Sequence, residues 1–221
     1  PDTPLILASD PASPASVKTP TLIGEAEPLN EVMVYATAGC EGLVLGSGET
    51  DELGLFSFVV IVNENNATEL YARATDQTGL TSDCTTDPFI YIHDGTNPDP
   101  PIFDGTEPDS PGSDVAFDVL GTAEVGTTVE LYTDAACSEP VEGSGVVDEA
   151  GGFVIGAVAP SNDELSLWGR VVDGAGNVSP CTEEPLVYVH DSIAPPAPVI
   201  LSTLPPSPAP STEPLVIGGC E

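Results

Sequence analysis

The groups in this sequence able to do covalent or metal chemistry are five cysteines, two histidines and 36 acids, set against three bases. Cys40 and Cys84 are 44 residues apart, and so are Cys137 and Cys181, the second pair standing 97 residues after the first. A thiol pair kept at one spacing in two places predicts two disulfides, Cys40–Cys84 and Cys137–Cys181, and an oxidising compartment, with four buried free thiols as the alternative. Zinc is a weaker reading, since two cysteines and one remote histidine do not complete a tetrahedral site. Cys220 has no partner in its own segment and is a candidate for an intermolecular disulfide. His93 and His190 would need a serine within reach and an oxyanion hole to act in a hydrolytic triad. No Gly-x-Ser-x-Gly elbow is present, and Gly46-Ser47-Gly48 and Gly143-Ser144-Gly145 read as turns. No glycine-rich phosphate loop opens a helix. The chain is therefore predicted not to be an enzyme. Asn66-Ala67-Thr68 and Asn177-Val178-Ser179 match the glycosylation pattern and read as turn residues.

The charge balance, -33 over 221 residues, excludes other classes. Nucleic-acid binding needs clustered bases to neutralise phosphates, and Lys18, Arg73 and Arg170 are the whole basic set. Anionic membranes are excluded on the same ground. The longest apolar stretch, around Leu55 to Val62, is far short of the roughly 18 residues of a membrane helix, so no membrane insertion is expected. No basic region followed by an apolar one opens the chain, so any signal peptide has been removed or lies outside these residues.

What must position these groups is a repeat. The 97-residue step also carries Gly24 onto Gly121, Tyr35 onto Tyr132, Phe56 onto Phe153, Arg73 onto Arg170 and His93-Asp94 onto His190-Asp191. Residues 1–94 and 98–191 align without a gap, identical at 34 of 94 positions. A third copy begins at Pro195, in step with Pro1 and Pro98. The expected units are residues 1–94, 95–191 and a partial third, 192–221. In the first copy, strands are expected near residues 4–8, 19–25, 31–37, 43–46, 54–62, 68–75 and 87–93, with inward-outward alternation in Val32-Met33-Val34-Tyr35. About seven short strands per copy, broken at Asp-x-x-Gly and Gly-Ser-Gly, predict an all-β chain of tandem two-sheet Greek-key sandwiches. Residues 192–221 match the first two strands alone. They are either cut from a longer repeat protein or completed by a neighbouring molecule, which would give filaments.

Val171-Val172-Asp173-Gly174-Ala175-Gly176-Asn177-Val178-Ser179, then Tyr188-Val189-His190-Asp191 and Ala194-Pro195-Pro196, resemble the repeating unit of bacterial Ig-like domains. The first copy departs from it, with Leu80 in place of the asparagine and Gly95-Thr96-Asn97-Pro98 as its linker. The resemblance implies Ig-like sandwiches strung in tandem along secreted or cell-surface proteins such as adhesins. On a rigid Ig template Cys40 and Cys84 lie toward different ends, so the loop after Gly39 is expected to fold back. That topology also brings Asp94, Asp99, Glu124 and Asp173 toward one junction between copies, where Ca²⁺ could offset their repulsion. The alternative is that Asp76 and Asp173 only cap their own turns. The two histidines are expected to pack on the linkers, and Trp168 or Tyr71 to stack beside Arg170 or Arg73.

The function expected is a structural or adhesive module, a stiff acidic rod on the outside of a bacterium. Its partners are then neighbouring repeats and a surface ligand that the residues do not name. The alternative is a carbohydrate-binding array beside an absent catalytic domain.

Overall fold

Side chains alternate inward and outward along most of this chain, and the backbone follows the alternation into strands. The computed structural model describes residues 1–138, 140–210 and 212–219, without the side chains of 140–142. The described residues form sixteen strands and no helix. No helix is long and apolar enough to cross a membrane. The first seven are β1 (Leu5–Asp10), β2 (Thr21–Glu25), β3 (Glu31–Tyr35), β4 (Val44–Glu49), β5 (Leu55–Val59), β6 (Asn66–Thr75) and β7 (Phe89–His93). They make a three-stranded sheet, β1-β2-β5, packed on a four-stranded sheet, β4-β3-β6-β7. Each ladder is antiparallel. The chain changes sheet between β2 and β3, β4 and β5, and β5 and β6, the crossings of a Greek-key sandwich. Val32 and Val34 of β3 and Leu70, Ala72 and Ala74 of β6 point inward to meet Leu22, Phe56 and Tyr91 in one core.

The second copy repeats the plan with β8 (Ile102–Glu107), β9 (Ala116–Thr122), β10 (Thr128–Tyr132), β11 (Pro140–Val146), β12 (Gly152–Val158), β13 (Glu164–Val172) and β14 (Leu186–Val189). Sheets β12-β9-β8 and β11-β10-β13-β14 enclose a separate core around Phe117, Val129, Leu131, Ile155 and Tyr188. Phe117 and Tyr188 stack at 3.9 Å between ring centres. Two final strands, β15 (Val199–Leu204) and β16 (Leu215–Gly219), pair only with each other among the described residues. Their register, irregularity included, is that of β1 with β2 and of β8 with β9. Cys220 lies outside the described residues.

Two expectations are corrected here. Gly46-Ser47-Gly48 lies within β4 and Gly143-Ser144-Gly145 within β11, so neither is a turn. The glycines serve close approach instead: a Cβ at Gly46 would stand 2.4 Å from the Val59 carbonyl oxygen, and one at Gly48 2.6 Å from the Phe58 ring. They let β4 close over β5 at the margin where the two sheets meet.

The second correction concerns how the cysteines meet. Cys40 and Cys84 are bonded, with Cα atoms 5.6 Å apart, as are Cys137 and Cys181 at 5.9 Å. The segment after the Asp76 turn accounts for much of the approach. It doubles back along β6, with Ser82 N–H donating to the Ala74 carbonyl and Thr85 N–H to that of Ala72. Cys84 is carried beside the outer face of the four-stranded sheet. There it meets Cys40 over Tyr35 and Tyr71, in an apolar cluster separate from the main core. The bond therefore straps the outside of one sheet and does not join the two.

Candidate functional site at the repeat junction

Four of the Asp-x-x-Gly segments of this chain, at Asp51, Asp76, Asp148 and Asp173, form turns that fold alike. In each, one carboxylate oxygen accepts the backbone N–H groups two and four residues on: Leu53 and Leu55, Thr78 and Leu80, Ala150 and Gly152, Ala175 and Asn177. The glycine sits at φ 83–85°, where a side chain would be strained. At Asp76 the Thr78 hydroxyl, first, and the Leu80 N–H hold the carboxyl below its usual range. These turns all leave strands at one end of each sandwich.

At the Asp173 turn a further contact crosses between copies. Asn177 is buried, and its Nδ2 donates both to the Asp94 carbonyl oxygen at 2.9 Å and to Asp173 Oδ2 at 2.8 Å. One primary amide thus ties the turn of the second repeat to the last residue of the first. Asn177 is closed off within the turn, as its glycosylation pattern did not suggest, while Asn66 opens β6.

The linker is held from its other side as well. His93 and His190 are both buried. Nδ1 of each accepts a backbone N–H, from Asn65 at 2.9 Å and Asn162 at 2.7 Å. Nδ1 of His190 being an acceptor, Nε2 carries the hydrogen and faces the Ser113 carbonyl at 3.0 Å. Asn65 and Asn162 adopt φ near +50°, and their Oδ1 atoms accept from the linker N–H groups of Gly95 and Ser192. Asp94 and Asp191 N–H donate to the Ala15 and Gly112 carbonyls, closing each linker root onto the β1–β2 or β8–β9 connection. Asp94 Oδ1 then accepts the Thr96 N–H, and Asp191 Oδ1 that of Ile193.

The four acids assigned to the junction are arranged two and two. Asp94 and Asp173 are joined through the Asn177 amide, with Asp94 contributing its main-chain oxygen. Asp99 and Glu124 border a hollow with Pro100, Ile102, Thr122 and Ala123. Among the described residues no three His, Cys, Asp or Glu side chains converge as a group able to hold a metal ion. Sequence reasoning had Asn177 within the motif that carried the family resemblance and missed its role, because its partner is a main-chain atom 83 residues away.

The aromatic-arginine contact is also corrected. Arg170 lies over the Tyr132 ring, 4.9 Å from its centre, and pairs with Glu130 at 2.9 Å; Trp168 is not its partner. Tyr132 is buried, which pushes its hydroxyl up to about 12, helped by its hydrogen bond to Glu130. The Tyr132 hydroxyl first, and Arg170 after it, hold the Glu130 carboxyl below its usual value. The first repeat has Met33 where the second has Glu130, and Arg73 reaches the Gly39 carbonyl instead. Of the exposed large apolar side chains among the described residues, none is aromatic.

A family model described as a bacterial Ig domain matches residues 10–88. The first repeat is similar to bacterial Ig domains. The second, its gapless duplicate with the same strand order, is an Ig-like sandwich too. No curated protein matches the sequence. Among solved structures, fibronectin(III)-like modules of Clostridium thermocellum CbhA are 15% identical, with 83% of this chain and 93% of that one covered and a TM-score of 0.49. The BSP domain of a biofilm-associated protein is 14% identical, covering 81% of this chain and 29% of that one at a TM-score of 0.32. A tetra-tandem repeat from the extending region of a large adhesion protein is 16% identical, covering 83% and 48% at 0.36. The chain thus spans less than half of each of the latter two.

Proposed function

We propose that this chain is a non-catalytic spacer of a bacterial surface protein, in which Ig-like repeats are held end to end as a stiff, acidic rod. The observation that carries the reading is the Asn177 clasp. A buried amide bonded to both repeats, on a linker already pinned by Asn65 and His93, leaves little freedom at the joint. Disulfides on the outer sheet faces suit an oxidising exterior. A charge of -33 keeps such a chain soluble and repels its own segments, which favours extension. A sugar-binding array draws less support, since exposed aromatic platforms are not among the described surface features.

Small-angle X-ray scattering tests the stiffness. The intact chain is expected to scatter as an elongated body of fixed length. Asn177→Leu, which puts the residue of the first repeat in the clasp position, should shorten the mean dimension and broaden the distance distribution. Unchanged scattering in that variant would remove the clasp from the proposal, and a compact, bent wild type would end the rod reading itself.

A further inference from the structure

The two sheets of repeat 2 meet along two margins. At one, the glycines of β11 let it close over Ile155 of β12. At the other, β8 and β14 are both edge strands and no ladder joins them. Between them runs a groove of about 640 Å³, a size suited to binding. Pro100, Ile102 and Phe103 line one wall, and Pro180, Pro185 and Leu186 the other. Ile102 is 66% exposed, an apolar side chain left in water. The groove belongs to the middle unit: the chain continues on both sides of it, and every lining residue lies between Pro100 and Leu186.

Both walls are braced from behind. Phe103 and Pro101 pack down on Gly169 of β13, where a Cβ would stand 2.8 Å from each, and Phe103 meets Phe153 edge-on at 6.4 Å between ring centres. On the other wall Cys181 is bonded to Cys137, Thr182 N–H donates to the Gly169 carbonyl, and the Thr182 hydroxyl accepts the Gly169 N–H. A groove held by prolines, a disulfide and hydrogen bonds is formed before a ligand arrives, which lowers the ordering cost of binding.

The first repeat has Thr3 where the second has Pro100, Asp83 for Pro180 and Thr86 for Glu183. The second repeat thus gains apolar rings within the groove and carries two adjacent exposed acids, Glu183 and Glu184, at its rim. Past Pro100 and Ile102 the surface continues into the hollow of Asp99 and Glu124. No base lines either: Lys18 pairs with Glu64, Arg73 reaches the Gly39 carbonyl, and Arg170 pairs with Glu130. Carboxylates without a cation, around an apolar trough, complement a ligand that is both apolar and positively charged. A copy of this chain does not supply one, since its three bases are engaged and its charge is -33. The edge itself selects for main chain: β8 pairs with β9 on one side and with no strand on the other among the described residues. An open edge of this kind accepts an extended segment, with alternate side chains falling into a flanking pocket.

We propose that the β8–β14 groove of repeat 2 binds an extended cationic segment of a partner protein, added as a strand to the open edge of β8. An apolar side chain of that segment fills the groove, and lysine or arginine faces Glu183 and Glu184. A spacer needs no such groove, and the proposal does not depend on the stiffness of the joint.

Isothermal titration calorimetry of the intact chain tests this with a short synthetic peptide that alternates lysine with valine, leucine and phenylalanine. Saturable binding at one site is expected, with nuclear magnetic resonance shifts centred on Ile102, Phe103 and Leu186. Pro100→Thr/Pro180→Asp/Glu183→Thr gives the groove the residues of repeat 1 and keeps the net charge, so general attraction to an acidic chain is unaltered; affinity should fall by about tenfold or more. Glu183→Gln/Glu184→Gln, at exposed positions, should weaken binding by about threefold or more, while Glu41→Gln/Glu52→Gln in repeat 1, the same change in charge, should leave it as it is. The peptide methylated on alternate main-chain nitrogens should bind about tenfold more weakly, because strand addition uses those N–H groups. If the triple variant melts as the wild type does and binds the peptide as tightly, the attraction is to overall charge and the proposal fails. Should that variant melt early, the two glutamine variants decide: equal affinity in both overturns it. It fails equally if the methylated peptide binds as well as its parent, or if the wild type takes up no peptide.

Discussion

Asn177 and Leu80 occupy the same place in two copies of one turn, and their surroundings make opposite demands. Asn177 is buried with both amide hydrogens bonded, so Asn177→Ala leaves the Asp94 carbonyl and Asp173 Oδ2 short of a donor. The expected loss is about 1 to 2 kcal/mol in the unfolding of repeat 2, read by denaturant titration. Leu80 is exposed, and Leu80→Asn should stay within about 0.5 kcal/mol. The Tyr132 hydroxyl makes a prediction in pH. Its folded value, about 12, lies above the ordinary value of 10, so its contribution to stability is complete below pH 10 and is lost as pH rises through about 12. Ultraviolet titration of the tyrosinate band should show late ionisation, to which Tyr71, bonded to Glu69, and buried Tyr91 also contribute, and Glu130→Gln should bring the Tyr132 part of it earlier. On the acid side the depressed Glu130 contributes above its ordinary value and ceases to do so as pH falls.

At the scale of elements, the disulfides replace packing that a sheet's outer face lacks. Each closes a 44-residue loop, worth about 4 kcal/mol in the chain-entropy model. Cys84→Ser with Cys40→Ser should lower the stability of repeat 1 by about that amount and leave repeat 2 unchanged, because the two cores share no residue. Calorimetry resolving two transitions, only one of them displaced, is the expected record; a joint shift would mean that the repeats unfold as one unit. The seven strands per repeat were legible from alternation and turn spacing. The doubling back of residues 81–85 along β6 was not, because an irregular segment that pairs with an existing strand leaves no periodic signature.

For the whole molecule, charge dominates. With 36 acids and 3 bases, added salt is expected to raise the melting temperature by screening self-repulsion. If the junction acids, Asp94 with Asp173 and Asp99 with Glu124, take up Ca²⁺ weakly, millimolar Ca²⁺ should raise the melting temperature more than Mg²⁺ at the same concentration. Equal shifts from the two ions would mean that these acids carry only solvated charge.

The sequence by itself determined the duplication, the cysteine pairing and the all-β class, since each is written in spacing: 97 between copies, 44 between cysteines, two between core-facing residues of a strand. Tertiary structure alone decided the rest. Asn177 meeting the Asp94 carbonyl and Arg170 choosing Tyr132 over Trp168 both join residues that strand pairing and sheet crossing bring together. Such contacts depend on where turns end in space, and main-chain partners carry no residue type for a sequence to show.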